Sequence, residues 1–104
     1  IYAQRPLQDH AVYCASKAGL VSLTHSLAQG LAPDIRVNGI APGAILWPEN
    51  QQDEVAQKRL LSRIPLRRTG HPENIARAAL YLIRDADYTT GQILAVDGGR
   101  SVMP

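Results

Sequence analysis

The sequence has no phenylalanine, and it has one tryptophan, one methionine and one cysteine in 104 residues. A lone cysteine, Cys14, cannot form an internal disulfide, so the chain is not stapled like a small secreted domain and a reducing cytoplasm is expected. No apolar run approaches the roughly 18 residues of a membrane span, so no membrane partner is expected. Neither sign of charge dominates: 11 Lys and Arg against 9 Asp and Glu leave +2. The cations, nine of them Arg, are spread along the chain, and no nucleic-acid footprint follows. His10, His25 and His71 lie far apart without ligand spacing, so no metal site is expected. There is no signal peptide and no starting methionine, the only Met being Met103, and the chain reads as the later portion of something longer. A composition of 45% hydrophobic and 19% charged residues is that of a globular chain, long enough for one domain at most.

Residues 10–31 contain no proline and are rich in Ala, Leu, Ser and Gln, which predicts one long helix. Leu20, Leu23, Leu27 and Leu31 form one stripe on it, and Ala15, Gly19, Ser22 and Ser26 a second stripe of small residues. Such a helix is expected to be buried from more than one direction. Residues 35–41 read as a buried strand ended by Pro42 and Gly43, and an unusually apolar loop follows. Residues 54–62 read as a short helix. Pro72 at the first helical position and Glu73 in the first turn start another, running to about Arg84, and residues 92–96 make a second strand. This order implies an α/β fold with helices covering a parallel sheet. Two strands expose both edges and cannot bury two long helices, so the chain is expected to be part of an α/β domain, or an obligate partner in one.

Tyr13 and Lys17 stand four residues apart and project from one helix face. A phenol is a poor acid–base group at neutral pH, and an ammonium one turn away favours its phenolate form. Taken alone, such a pair is more readily an exposed pair with no chemistry. Cys14 points about 100° round the helix from Tyr13 and reads as a small packing residue. Arg59, Arg63, Arg67 and Arg68 either attract an anionic tail or form a solvated basic face.

Taken in order, the strings YCASKAGL, RVNGIAPG, PENIA and TGQILAVDGG resemble the C-terminal part of the short-chain dehydrogenases/reductases. The pattern Tyr-x-x-x-Lys is the active-site signature of that family, which binds a nicotinamide cofactor on a Rossmann-like, doubly wound parallel sheet. The resemblance covers nearly all of residues 1–104, which it implies are the C-terminal portion of a single domain. It implies that Tyr13 protonates substrate as hydride arrives, and that Lys17 favours the Tyr phenolate and holds the nicotinamide ribose. It also places Pro42 and Gly43 against the nicotinamide, with backbone contacts to the carboxamide from about Ile45. Two parts of the family pattern are lacking. No glycine-rich dinucleotide loop occurs, and the third catalytic residue, usually a serine, would fall just ahead of Ile1. The chain alone is therefore expected to be inactive.

Where the family usually has a threonine shortly after Pro-Gly, this sequence reads Ala44, Ile45, Leu46, Trp47, Pro48, Glu49. That loop resembles the pteridine reductases and the related dihydrofolate- and dihydromonapterin-reducing members. Leu46 and Trp47 would then wall a flat pterin ring, the alternative being that Trp47 is a core or subunit-contact residue. The resemblance thus implies NADPH-dependent reduction of a pterin or dihydrofolate C=N bond by a cytoplasmic homotetramer. NADPH, as against NADH, rests on the subfamily resemblance alone. Two rivals stand beside this reading: a 3-oxoacyl-thioester or other ketone reductase of the same family, and a non-catalytic pseudo-enzyme or structural subunit.

Overall fold

The computed structural model describes residues 8–45 and 53–104. The elements follow the expected order. Helix α1 spans Ala11–Leu31, strand β1 Gly39–Pro42, helix α2 Glu54–Ser62, helix α3 Pro72–Leu80 and strand β2 Ile93–Val96. A π-helical turn, Tyr81–Asp85, continues α3, and a single 3-10 turn covers Arg100–Val102. The two strands form one sheet in the order β1-β2. Gly39 N–H donates to the Gln92 carbonyl at 2.8 Å and Gly43 N–H to the Val96 carbonyl at 3.0 Å. Equal steps along both strands mark the pairing as parallel. No helix among the described residues is long and apolar enough to cross a membrane.

The chain divides into two compact units, Ile1–Gly39 with Leu82–Leu94, and Ile40–Tyr81 with Ala95–Pro104. The first unit is organised by α1. Its buried residues, Cys14, Thr24 and Ala28, lie along one face, Ala28 beside Gly91 and Thr24 beside Gly39. Cys14 is a packing residue, as its place on the helix implied. Burial from several directions is not found: Leu20 and Leu23 are more than half exposed, and Leu27 and Leu31 are exposed as well. Two four-residue strands offer a surface for one face of a helix, and the small-residue stripe has no second layer among the described residues.

Strand β1 begins at Gly39, later than the apolar pattern from residue 35 implied. Side chains and a turn take the backbone groups just before it. Val37 N–H donates to Thr90 Oγ1 at 3.0 Å, and the Val37 carbonyl accepts from Gly91 N–H at 2.7 Å. Asn38 donates through Nδ2 to the Thr89 carbonyl and accepts at Oδ1 from Gln92 N–H, so one amide side chain ties both ends of the 89–92 turn. Arg36 does similar work at a helix end. Its Nη1 donates to the carbonyls of Leu82 at 2.6 Å and Ala86 at 2.8 Å, and its Nη2 to that of Ile83 at 3.0 Å. The last carbonyls of a helix lack intrahelical partners, and a planar guanidinium meets several of them at once. The extension of α3 therefore ends in a wide turn held from outside rather than in the plain α-helix expected to Arg84.

In the second unit, α2 has the predicted bounds, and Asp53 caps it by accepting from Val55 N–H at 2.9 Å. At the start of α3, Pro72 and Glu73 lie as expected, and Asn74 Oδ1 accepts from His71 N–H at 2.8 Å. Glu73 pairs with Arg77 at 2.8 Å, but both side chains are largely exposed, so the pair adds little stability. The best-buried side chain is Ile64, in the connection after α2.

Replacing Arg36 by Met leaves three carbonyls short of a donor at the end of a helix. The variant is expected to lose about 2 kcal/mol, read as a lower urea midpoint at unchanged slope. Arg36→Lys should recover less than half, because an ammonium lacks the fork. An unchanged midpoint in the Met variant would show that the clamp is dispensable.

Candidate active site

Tyr13 and Lys17 lie in the first half of α1, where the proline-free sequence keeps the helix unbroken. The structure brings them together: Lys17 Nζ is 5.3 Å from the centroid of the Tyr13 ring, within the range of a cation–π contact. Tyr13 is 44% exposed, which leaves its phenol within reach of a ligand. Ser16 Oγ donates to the Tyr13 carbonyl at 2.7 Å. Cys14, the next residue, turns inward and is buried. The helix thus presents a phenol and an ammonium on one side and packs on another.

Pro42, Gly43 and Ile45 belong to the second unit. At Gly43 the end of β1 runs against the start of the turn after β2. A Cβ there would lie 2.7 Å from both Cα and Cβ of Asp97. That distance excludes any side chain, so glycine is required by the close approach of two backbones. Beyond it, the Ala44 carbonyl accepts from Gly70 N–H at 2.8 Å, which ties the loop after β1 to the residues leading into α3. Leu46 and Trp47, the expected walls of a pterin site, lie outside the described residues.

This loop borders a cavity of about 210 Å³, lined among others by Ala44, Ile45, Leu66, Arg68, Asn74 and Asp97. Of these, Ile45 came from sequence and Arg68 stood there only within the basic run, whereas Leu66 and Asn74 were not singled out. Nothing in their local pattern marks them, since the Ala44–Gly70 bond that draws the two loops together spans distant parts of the chain. Asp97 stood out only within the Asp-Gly-Gly landmark.

Asp97 fixes the turn on its side of the cavity. Its Oδ1 accepts from Gly99 N–H and its Oδ2 from Ser101 N–H, each at 2.9 Å. Gly98 and Gly99 both take positive φ, which glycine adopts without strain, and a Cβ on Gly98 would meet Ile64 Cγ2 at 2.8 Å. Partial burial opposes ionisation of Asp97, but it is outweighed by hydrogen bonds from the Ser101 hydroxyl and from the Gly99 and Ser101 backbone N–H groups. Together they hold the carboxyl below its ordinary value.

Comparisons with known proteins show the family. A family model described as Enoyl-(Acyl carrier protein) reductase matches residues 1–101. The 3-oxoacyl-[acyl-carrier-protein] reductase FabG of Thermotoga maritima is 47% identical over 90 residues, which cover 84% of this chain and 37% of that protein. L-xylulose reductase of Caenorhabditis elegans is 41% identical over 104 residues, covering 95% of this chain and 41% of that one. A Brucella melitensis structure described as a short-chain dehydrogenase/reductase, glucose/ribitol dehydrogenase, superposes with a TM-score of 0.82 at 34% identity, over 96% of this chain and 40% of its own. The chain belongs to the short-chain dehydrogenase/reductase family, whose members are NAD(P)H-linked oxidoreductases acting on small molecules. It spans about two-fifths of the length of the relatives it matches and carries part of a Rossmann-like parallel sheet.

The lowered pKa of Asp97 has a definite consequence for stability. A carboxylate favoured in the folded state contributes stability that is present above the ordinary Asp range and lost as pH falls through the lower folded value. The stability difference between wild type and Asp97→Asn should therefore be constant from neutral pH down to about pH 5 and shrink below about pH 4. A difference independent of pH, measured by urea unfolding across that range, would contradict the role assigned to the charge.

Proposed function

We propose that this sequence belongs to an NAD(P)H-dependent reductase of a carbonyl compound, in which Tyr13 gives the proton and Lys17 assists. The observation that carries the reading is the exposed Tyr13 phenol with the Lys17 ammonium one turn away and 5.3 Å from its ring, in a chain of this family. The residues present fit a nicotinamide nucleotide. The Lys17 ammonium carries donors suited to ribose hydroxyls, and the cavity beside Ile45 is below the roughly 300–1,000 Å³ of a site for a drug-sized ligand, so it suits one ring of such a cofactor. When bound, the nicotinamide supplies hydride. Tyr13 delivers a proton to the substrate oxygen as the C=O group becomes an alcohol, and Lys17 balances the phenolate charge left behind. Gly43 and Ile45 offer backbone groups to the carboxamide, and Pro42 sets the start of their loop. On the same reading, residues 1–104 form the C-terminal portion of one domain of a cytoplasmic homotetramer, and the exposed leucines of α1 are in keeping with burial against further structure.

A ketone is favoured as substrate because both curated relatives quoted above are named for ketone reduction, a 3-oxoacyl group in one and a ketose in the other. The second reading, a pterin or dihydrofolate C=N bond with NADPH as donor, is supported by the apolar run Ala44, Ile45, Leu46, Trp47. Oxidation of NADPH and of NADH, followed with an acetoacetyl thioester, a ketose, dihydrobiopterin and dihydrofolate, separates them. Turnover on the dihydropterin alone would overturn the ketone reading, and no turnover on any of them would favour a non-catalytic role.

Tyr13→Phe removes the proton donor and leaves the helix intact. Turnover by the natural-length protein is expected to fall at least about 100-fold. Lys17→Met should lower turnover and also raise the KM for the nucleotide. Wild-type rates in the Phe variant would remove Tyr13 from the mechanism.

A further inference from the structure

Residues 53–70 hold five cations, Lys58, Arg59, Arg63, Arg67 and Arg68, and two carboxylates, Asp53 and Glu54. This leaves +3 on the segment, against +2 for the whole chain, so the remainder sums to −1. The net positive charge therefore sits in one place. Ordinary structural roles absorb part of it: Glu54 precedes Lys58 by one turn, and cations near the end of α2 complement its half-unit of dipole charge. Four guanidinium groups exceed that need. All four arginines are exposed. The ion pairs among the described residues are Arg77–Glu73 and Arg84–Asp85, and neither involves them.

These charges fall on one short stretch of chain. Arg59 and Arg63 are one turn apart at the end of α2. Arg67, with φ +59°, turns back so that its Nη1 lies 3.4 Å from the Ser62 carbonyl, next to Arg63 in the chain. Arg68 donates to the Thr69 carbonyl at 3.1 Å and lines the cavity beside Ala44 and Ile45. The carboxylate of that cavity, Asp97, is engaged by Gly99 and Ser101 within its own turn. Arg68 is thus a cation at the cavity, backed by three more outside it. Guanidinium forks match the paired oxygens of carboxylate and phosphate, and a cluster of four suits the more highly charged phosphate.

We propose that Arg59, Arg63, Arg67 and Arg68 form an anion-binding rim that takes a phosphate group carried by the substrate, so that the protein prefers phosphorylated carbonyl compounds. The proposal rests on the reductase reading for its substrate, but not for the anion site itself. The site is tested with inorganic pyrophosphate as probe, by titration calorimetry on the natural-length protein. Saturable binding should weaken at least tenfold in the triple variant Arg63→Gln/Arg67→Gln/Arg68→Gln and stay unchanged in Arg77→Gln, whose guanidinium is paired with Glu73. The substrate assignment is tested by comparing dihydroxyacetone phosphate with dihydroxyacetone. The phosphorylated ketone should have at least tenfold higher kcat/KM in the wild type, and the ratio should collapse in the triple variant. Absence of pyrophosphate binding, or equal binding by the triple variant, would overturn the site. A triple variant with raised KM for the nucleotide alone would overturn the substrate assignment in favour of the cofactor's phosphates. Pyrophosphate binding through these arginines in a protein that reduces no carbonyl supports the anion site and overturns the reductase reading.

Discussion

The closeness of β1 to its partner strand is the constraint from which the rest of the arrangement follows. Glycines stand at both ends of that contact. A Cβ at Gly39 would meet only the movable tip of Ile93, at 2.8 Å from Cδ1, whereas one at Gly43 would press on the backbone of Asp97, so Gly43 carries the tighter constraint. With neither side chain present, two strands of only four residues pair in parallel, and the loop after β1 leaves at a fixed point. From there the Ala44–Gly70 bond, the cavity and the Asp97 turn are all set within one unit. A short sheet has few ladder bonds to hold it, so exclusion of side-chain volume at its ends does much of the positioning.

Around that sheet, side-chain clamps replace ladder bonds. Arg36 meets three carbonyls and Asn38 spans the 89–92 turn, and both residues lie just ahead of β1. The buried apolar set of the described residues is small: Cys14, Ala28, Ile64, Leu82 and Ala86. Polar contacts between distant residues therefore take a large share in holding the first unit. Their geometry also explains why the strand starts where it does.

How much could be read from sequence follows the range of the forces involved. Helices α1 and α2, the start of α3, and the Tyr13–Lys17 pair depend on neighbours three or four residues away, and the residue pattern carries them. The inward turn of Cys14 is of the same kind. The late start of β1, the π turn after α3 and the lining of the cavity by Leu66, Arg68 and Asn74 depend on contacts across dozens of residues, for which local pattern has no signal. The surface left on α1 was misjudged for a related reason. An apolar stripe states what a helix could bury, and the amount buried depends on the layers that meet it. The family was legible because its landmarks are ordered strings, whereas the sequence after Pro42-Gly43 departs from the usual string and leaves the substrate open.

The bonds from Arg36 and Asn38 join residues 46 to 54 positions apart, so they close a long loop that contains β1, α2 and α3. Once such a loop is closed, its length is thermodynamically forgiving, since doubling it costs only about 0.6 kcal/mol of closure entropy. The segment between Ile45 and Gly70 can therefore be lengthened, shortened or recomposed over evolutionary time with little effect on the clamp that anchors it. Ile45, Leu66 and Arg68 of the cavity lining lie on this stretch, and α1 lies outside it. Length changes there leave α1 and its Tyr13–Lys17 pair untouched.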